Sequence, residues 1–352
     1  MSYAKNHEFK RRQILKFTAF GTTSLYLGSA FSQQQRVVVV GTWGGDYARL
    51  LTKNIEDPLL KPKGIEVVQD QASDGPRRAK MVAERRLPRG SVDIQGFSAA
   101  NMYEMNGVDL LEPIDYSRIS NAKFLMPSMR YTYGIGQIYS GKVVTYNPKL
   151  IKPAPTSFKD TFDPKWGNKS GFIDIQYMYV ILAASLAATN GASMIDFEKA
   201  KEVLLAAKKA GARIYPTNEA FAQALKTEEI GIGIMWKARA VQWQNAGIPV
   251  ESVAAIEGIP LYISGFSIPK NAPNKETAYV YINAMLEKVA QEAFAVDFGY
   301  NPTVTNAVVA ADLQKRIGFT ADEQKRLKDL NYEYLAKNDS AMKEWWDKVF
   351  KA

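Results

Sequence analysis

The chain of 352 residues has no cysteine, and its single histidine is His7. Without cysteine there is no disulfide, no thiol nucleophile and no cysteine metal site. If the opening residues form a leader, the remainder has no histidine either. A Ser-His-Asp triad and a histidine general base are then excluded. No later stretch reaches the roughly 20 apolar residues that a membrane-spanning helix needs. The glycine pairs Gly134/Gly136 and Gly231/Gly233 lack the full dinucleotide fingerprint and read as turn or strand residues. There is no internal repeat and no low-complexity tract. What remains is non-covalent binding or carboxylate acid–base chemistry, with neither cofactor nor metal expected. The first points to a solute receptor and the second to an exported hydrolase, although no acid pair stands out from the surface charge.

The charges open on "KRRQILKF" at residues 10–17, ahead of a mildly apolar stretch that ends in small residues. A charged start, a short apolar middle and a small-x-small cut site describe a secretory signal. The order Arg11-Arg12-Gln13-Ile14-Leu15-Lys16 resembles the twin-arginine export signal. The expected leader is residues 1–32, cut after Ser32, and the expected location is the periplasm. No cysteine follows the cut, which argues against a lipid anchor. The formal charge is +9, and the leader holds Lys5, Lys10, Arg11, Arg12 and Lys16 against Glu8. The rest is therefore near +5, an ordinary balance that predicts no nucleic-acid partner.

Beyond the leader, hydrophobic periodicity alternates. "RVVVV", "IEVVQDQ" and "SVDIQGF" read as strands separated by helices, a β-α-β-α-β pattern that predicts a mostly parallel sheet. "GKVVTYN" is a further strand, followed by a connector with Pro148, Pro153 and Pro155. The alternation then restarts through "GFIDI", "ARIYP" and "IGIGIMW", with helices between. "LYISGFSIP" is a late strand, and amphipathic helices fill the C-terminal part. About 320 residues exceed one typical core, so two lobes are expected. Three aromatics, Trp43, Trp236 and Tyr262, fall in the late strand or at strand-to-helix junctions, where open α/β sheets bind ligands. Trp43 sits between Thr42 and two glycines in a loop, where core duty is less expected.

Several stretches carry a resemblance: "GTWGGDY", "SVDIQGFS", "PTSFKDTFDPKWGNKSGFID", "IMWKARA" and "EGIPLYISGFSIPKNAPNKETAYVYINAML". The chain resembles periplasmic solute-binding proteins of ABC importers, of the spermidine/putrescine-binding type. Glu257, Gly258, Ile268, Pro269, Gly299 and Tyr300 take the family's places. The resemblance implies an α/β, two-lobed type II periplasmic-binding-protein fold, each lobe a mixed, mostly parallel sheet flanked by helices. The expected lobes are residues 36–140 plus 263–305 and residues 142–260 plus 308–352. Crossing segments near Gly141 and residues 258–263 form the expected hinge. The expected partners are a small-molecule solute and an inner-membrane ABC permease, and the expected state is a monomer.

The resemblance places the solute in a cleft. Its expected contacts in the first lobe are Trp43, Asp46, Tyr47, Ser73, Arg77, Ser98 and Tyr139. From the second lobe and the crossings come Asp174, Gln176, Tyr177, Trp236, Lys237, Arg239, Tyr262, Ser264 and Tyr300. Departures from the family concern charge. Ser264 stands where an amine-binding acid belongs, Gln176 and Tyr179 stand where an acid pair belongs, and Lys237 and Arg239 are gained beside Trp236. A buried diammonium ion needs a carboxylate at each end, whereas arginine suits a carboxylate through paired hydrogen bonds. The charge inventory therefore leans to a small carboxylate or zwitterion, with a polyamine as the alternative.

Overall fold

A computed structural model describes residues 36–352; the leader reading falls on residues 1–32, outside them. The first three β-branched runs form β1 (Arg36–Thr42), β2 (Ile65–Gln71) and β3 (Ile94–Ser98). β1 pairs in parallel with both others, as the alternating pattern predicts. Helix α1 (Asp46–Leu51) runs on to Leu60 in a widened turn that contains Pro58. Proline has no N–H to give the i→i−4 ladder, which accounts for the widening. Gly64 then ends the helix in the left-handed conformation. α2 (Asp74–Glu84) and α3 (Ala99–Gly107) follow β2 and β3. α3 is too short and polar to show a clear helical period.

After the two-residue β4 (Arg130–Tyr131) comes β5 (Gly134–Tyr146), which is 13 residues long and takes in the Gly134/Gly136 pair as strand residues. α4 (Phe158–Phe162), β6 (Ser170–Ile173), α5 (Tyr177–Ala188) and α6 (Phe197–Lys209) come next. They lead to β7 (Arg213–Tyr215), α7 (Asn218–Lys226), β8 (Ile232–Trp236) and α8 (Lys237–Asn245). β6 pairs in parallel with β7 and β8. β9 (Glu251–Val253) precedes the late strand β10 (Ile259–Ser267). The C-terminal helices are α9 (Lys275–Met285), α10 (Lys288–Phe298), α11 (Ala311–Ile317), α12 (Ala321–Gln324) and α13 (Tyr332–Trp345). Two short strands, β11 (Asn301–Pro302) and β12 (Leu327–Lys328), lie among them.

The strand order is β2-β1-β3-β10-β5-β8-β6-β7, so β10 and β5 lie between the two parallel units. The first half of β5 pairs antiparallel with β10, and residues 142–146 pair antiparallel with β8. One hydrophobic core gathers Val38, Ile94, Phe97, Phe266 and Phe294; the other gathers Phe158, Phe172, Leu182, Phe221 and Trp346. Aromatic and β-branched residues fill both, as close packing of inward faces requires.

β10 meets β5 through a register shift between Ser264 and Gly265. A Cβ on Gly265 would stand 1.7 Å from the Ile135 carbonyl oxygen, a backbone atom that cannot swing aside. Gly265→Ala is therefore expected to cost about 1–3 kcal/mol, the usual range for overpacking, read as a lower urea midpoint. An unchanged midpoint would mean that the strands separate at this bulge without penalty.

Candidate functional site

In each parallel unit the carboxyl ends of the strands run into helix N-termini, and these ends enclose a cleft of about 530 Å³. On one side stand Trp43 from the loop after β1, Asp46 and Tyr47 of α1, Asp74 and Arg78 of α2, and Ser98 before α3. Facing them are Gln176 and Tyr177 at the start of α5, Asn218 and Glu219 of α7, Trp236, and Arg239 of α8. Tyr262, Phe298, Tyr300 and Asp339 complete the wall.

The aromatics form one continuous run. Trp236 stacks on Tyr262 at 4.5 Å between centroids, and Tyr179 meets Trp236 edge-on at 4.4 Å. Tyr300 lies 6.0 Å from Tyr262 and 4.9 Å from Phe298. Tyr47 continues the run 5.8 Å from Phe298, and Trp43 ends it 5.0 Å from Tyr47. Strand register explains the central pair. Ser140 and Lys142 are two apart on β5 and so share a face; their cross-strand partners are Tyr262 and Trp236.

Of the residues expected at the cleft, Trp43, Asp46, Tyr47, Ser98, Gln176, Tyr177, Trp236, Arg239, Tyr262 and Tyr300 line it. The other six do not. Ser73 is the N-cap position of α2, and Tyr139 packs against the first core. Asp174 accepts from Trp346 Nε1 at 2.8 Å and from Lys351 Nζ at 2.7 Å, a tie to the chain's last helical turn. Ser264 is buried in β10 opposite Ser98. Lys237 turns away to donate to the Gly318 carbonyl and sits 4.8 Å over the Phe319 ring. Burial lowers its pKa, with Glu323 opposing.

Arg77 is the largest correction. It does lie in the first turn of α2, but only 1% of it is exposed. Its guanidinium donates to the carbonyls of Ala72 (2.9 Å) and Gly96, to Gln95 Oε1 (3.0 Å) and to Asp74 Oδ1 (2.6 Å). It also lies 4.7 Å over the Trp43 ring. Its donors are spent on holding the loop and the indole, so it offers nothing to a solute. Asp74 instead shows the cleft a carboxyl whose pKa burial raises against the pull of Arg77 and Arg78.

The charges that do reach the cleft have both signs. Arg78 pairs with Glu104, and Arg239 lies 3.6 Å from Glu219. Asp339 of α13 accepts the Tyr177 hydroxyl and, among the described residues, makes no ion pair. Asp74, Asn218 and Glu219 sit in first helical turns and Arg78 one residue beyond, positions that the strand-to-helix pattern marks in the sequence. Nothing local marks Asp339; only the packing of α13 brings it in. Among the described residues, no cluster of His, Cys, Asp or Glu is placed to hold a metal.

Lys142 also went unread. It is fully buried, with its ammonium 4.0 Å over the Trp236 ring and 5.6 Å from that of Tyr179. It donates to Gln176 Oε1 and, among the described residues, meets no carboxylate.

The family described as bacterial extracellular solute-binding protein matches residues 57–321. The chain belongs to this family. This solute-binding protein is 23% identical over 298 residues to the spermidine/putrescine-binding periplasmic protein of Salmonella typhimurium, covering 80% of this chain and 82% of that one. Among solved structures it is similar to the Atu4243-GABA receptor, with a TM-score of 0.78, 22% identity, and 90% and 98% of the two chains covered. An ABC transporter substrate-binding protein from Bradyrhizobium japonicum USDA 110 also gives 0.78, at 21% identity, covering 90% and 100%. The fold is the two-lobed type II periplasmic-binding-protein fold.

Burial pushes the Lys142 pKa of this solute-binding protein well down. An unfolded lysine keeps its proton to about pH 10.4. Between the two values the unfolded chain binds more protons, so stability rises with pH across that window. Below it the full cost of the buried charge stands. Lys142→Met is expected to raise the urea midpoint at neutral pH and to flatten this rise. An equal slope in both proteins would show that Lys142 titrates normally.

Proposed function

We propose that this chain is the receptor of an ABC importer, capturing a small zwitterionic organic solute between its lobes for delivery to an inner-membrane permease. The observation that carries this reading is the cleft itself: an aromatic wall with charged groups of both signs. Aromatic faces supply contact area and attract an ammonium group by cation–π interaction, worth about 0.5–2 kcal/mol. Asp339 and Asp74 suit the amine, and Arg239 suits the carboxylate. The GABA receptor among the structural neighbours supports an ω-amino acid of similar length.

A plain carboxylate is less favoured, since Lys237 and Arg77 are engaged elsewhere and only Arg78 and Arg239 remain for it. A polyamine remains the second reading, favoured by the surplus of acids on the wall and by the name of the Salmonella relative. Capture and release require no bond making, so no catalytic role is assigned. Lobe boundaries at residues 36–140 plus 263–305 and 142–260 plus 308–352, with closure about the β5 and β10 crossings, belong to the same reading.

A thermal-shift panel of 4-aminobutanoate, 5-aminopentanoate, putrescine, spermidine, butanoate and benzoate tests the ligand. A ligand at 100 times its dissociation constant adds about 2.7 kcal/mol of stability. The ω-amino acids are expected to raise the melting temperature at micromolar concentrations, and Trp43→Ala to weaken them about tenfold, or roughly 1.4 kcal/mol, while the unliganded protein stays folded. A shift with the diamines alone would establish the second reading.

Export by the twin-arginine route and a periplasmic location complete the proposal. Replacing both Arg11 and Arg12 by Lys is expected to trap uncut precursor in the cytoplasm. Undiminished export of mature protein would exclude that route.

A further inference from the structure

Lys142 is the one fully buried lysine of the described residues, and no carboxylate compensates it. Burying an unpaired charge is costly, so its neighbours need an account. In its protonated form the Lys142 side chain has three donors and no acceptor. Gln176 must therefore turn its carbonyl oxygen toward Lys142, as it does. That leaves the amide nitrogen on the other side, where it donates to Asn218 Oδ1 at 2.6 Å. With its oxygen occupied by that bond, Asn218 is left with its own NH₂ as the free end. Gln176 and Asn218 both line the cleft. The chain of hydrogen bonds runs one way, from Lys142 through Gln176 to Asn218, and its direction is set by the donor-only group at its start.

We propose that Lys142 is a positioning residue for solute selection: by fixing the sense of the Gln176–Asn218 relay it makes the cleft floor beside Trp236 a hydrogen-bond donor surface, which takes the carboxylate end of the solute. The inference rests on the zwitterion reading above and adds the orientation of the solute to it. The carboxylate lies toward Asn218 and Arg239 and the amine toward Asp339 and Asp74.

The test compares 4-aminobutanoate and 5-aminopentanoate with putrescine, a diamine of similar length, by calorimetry on the full-length protein and two variants. Lys142→Met removes the donor-only origin, and its apolar chain suits the buried site. Gln176→Glu keeps Lys142 satisfied but deletes the donating NH₂. Both variants are expected to weaken the ω-amino acids tenfold or more, while putrescine, which gains from the lost positive charge, binds no more weakly than to the parent, so that the affinity ratio, not affinity alone, changes. If the ω-amino acids bind both variants as they bind the parent, this inference is wrong and the zwitterion reading stands. An equal loss for all three probes in Lys142→Met would mean the lysine only holds the fold, which also overturns it. If neither ω-amino acid binds the parent protein, both readings fall together.

Discussion

The structure depends on the hydrogen bonding of one strand. A strand has two edges, and β5 uses both of them twice. Along its first half it pairs with β10, β4 and β11; along its second it pairs with β8 and β9. The changeover falls at residues 140–142, between the two cores. Alternation of side chains then brings Tyr262 and Trp236 to the same face at the point where the sheets meet. A slip of one residue would send that pair to the opposite face. The cleft floor is thus a product of strand register, and the helix N-termini that form its walls follow from the parallel units on either side.

Charge in this protein is governed by whether a group can reach water or a partner. Arg77 and Arg78 are neighbours in one helical turn with opposite fates. Arg77 points inward, where backbone carbonyls, Gln95 and Asp74 satisfy its guanidinium, and it clamps the loop that carries Trp43. Arg78 points into the cleft and pairs with Glu104. Such a buried arginine is compatible with stability because each of its three nitrogens has an acceptor. Lys142 is the contrasting case, with one amide acceptor and two aromatic faces in place of a carboxylate.

The sequence was legible where local pattern and tertiary role coincide. β-branched runs such as "RVVVV" and "IGIGIMW" became buried strands, and the stretches between them became helices. Trp43, Trp236 and Tyr262 were found at the cleft because strand ends are where this topology places ligands. The charges were less legible. Lys237 and Arg239 are two apart on α8, about 200° around the helix, and so cannot both face the cleft. Arg77 was expected at the cleft, but its inward direction depends on carbonyls of Gly41 and Gly96 that are distant in sequence. Asp339 and Lys142 carry no local signal at all. One arrives by the packing of a C-terminal helix and the other by a register that only the assembled sheet defines.

The run of rings from Tyr179 to Trp43 has an optical consequence. Of the chain's six tryptophans, Trp43 and Trp236 line the cleft, one toward each end of that run. Indole emission responds to the polarity around the ring, and each of these two lies within van der Waals reach of a tyrosine. A solute seated in the cleft as proposed lies against partly exposed Trp43 and beside buried Trp236, while Trp346 sits in the core. On that reading the protein carries its own spectroscopic gauge of occupancy, built from the same side chains that shape the cleft, with no need of an attached label.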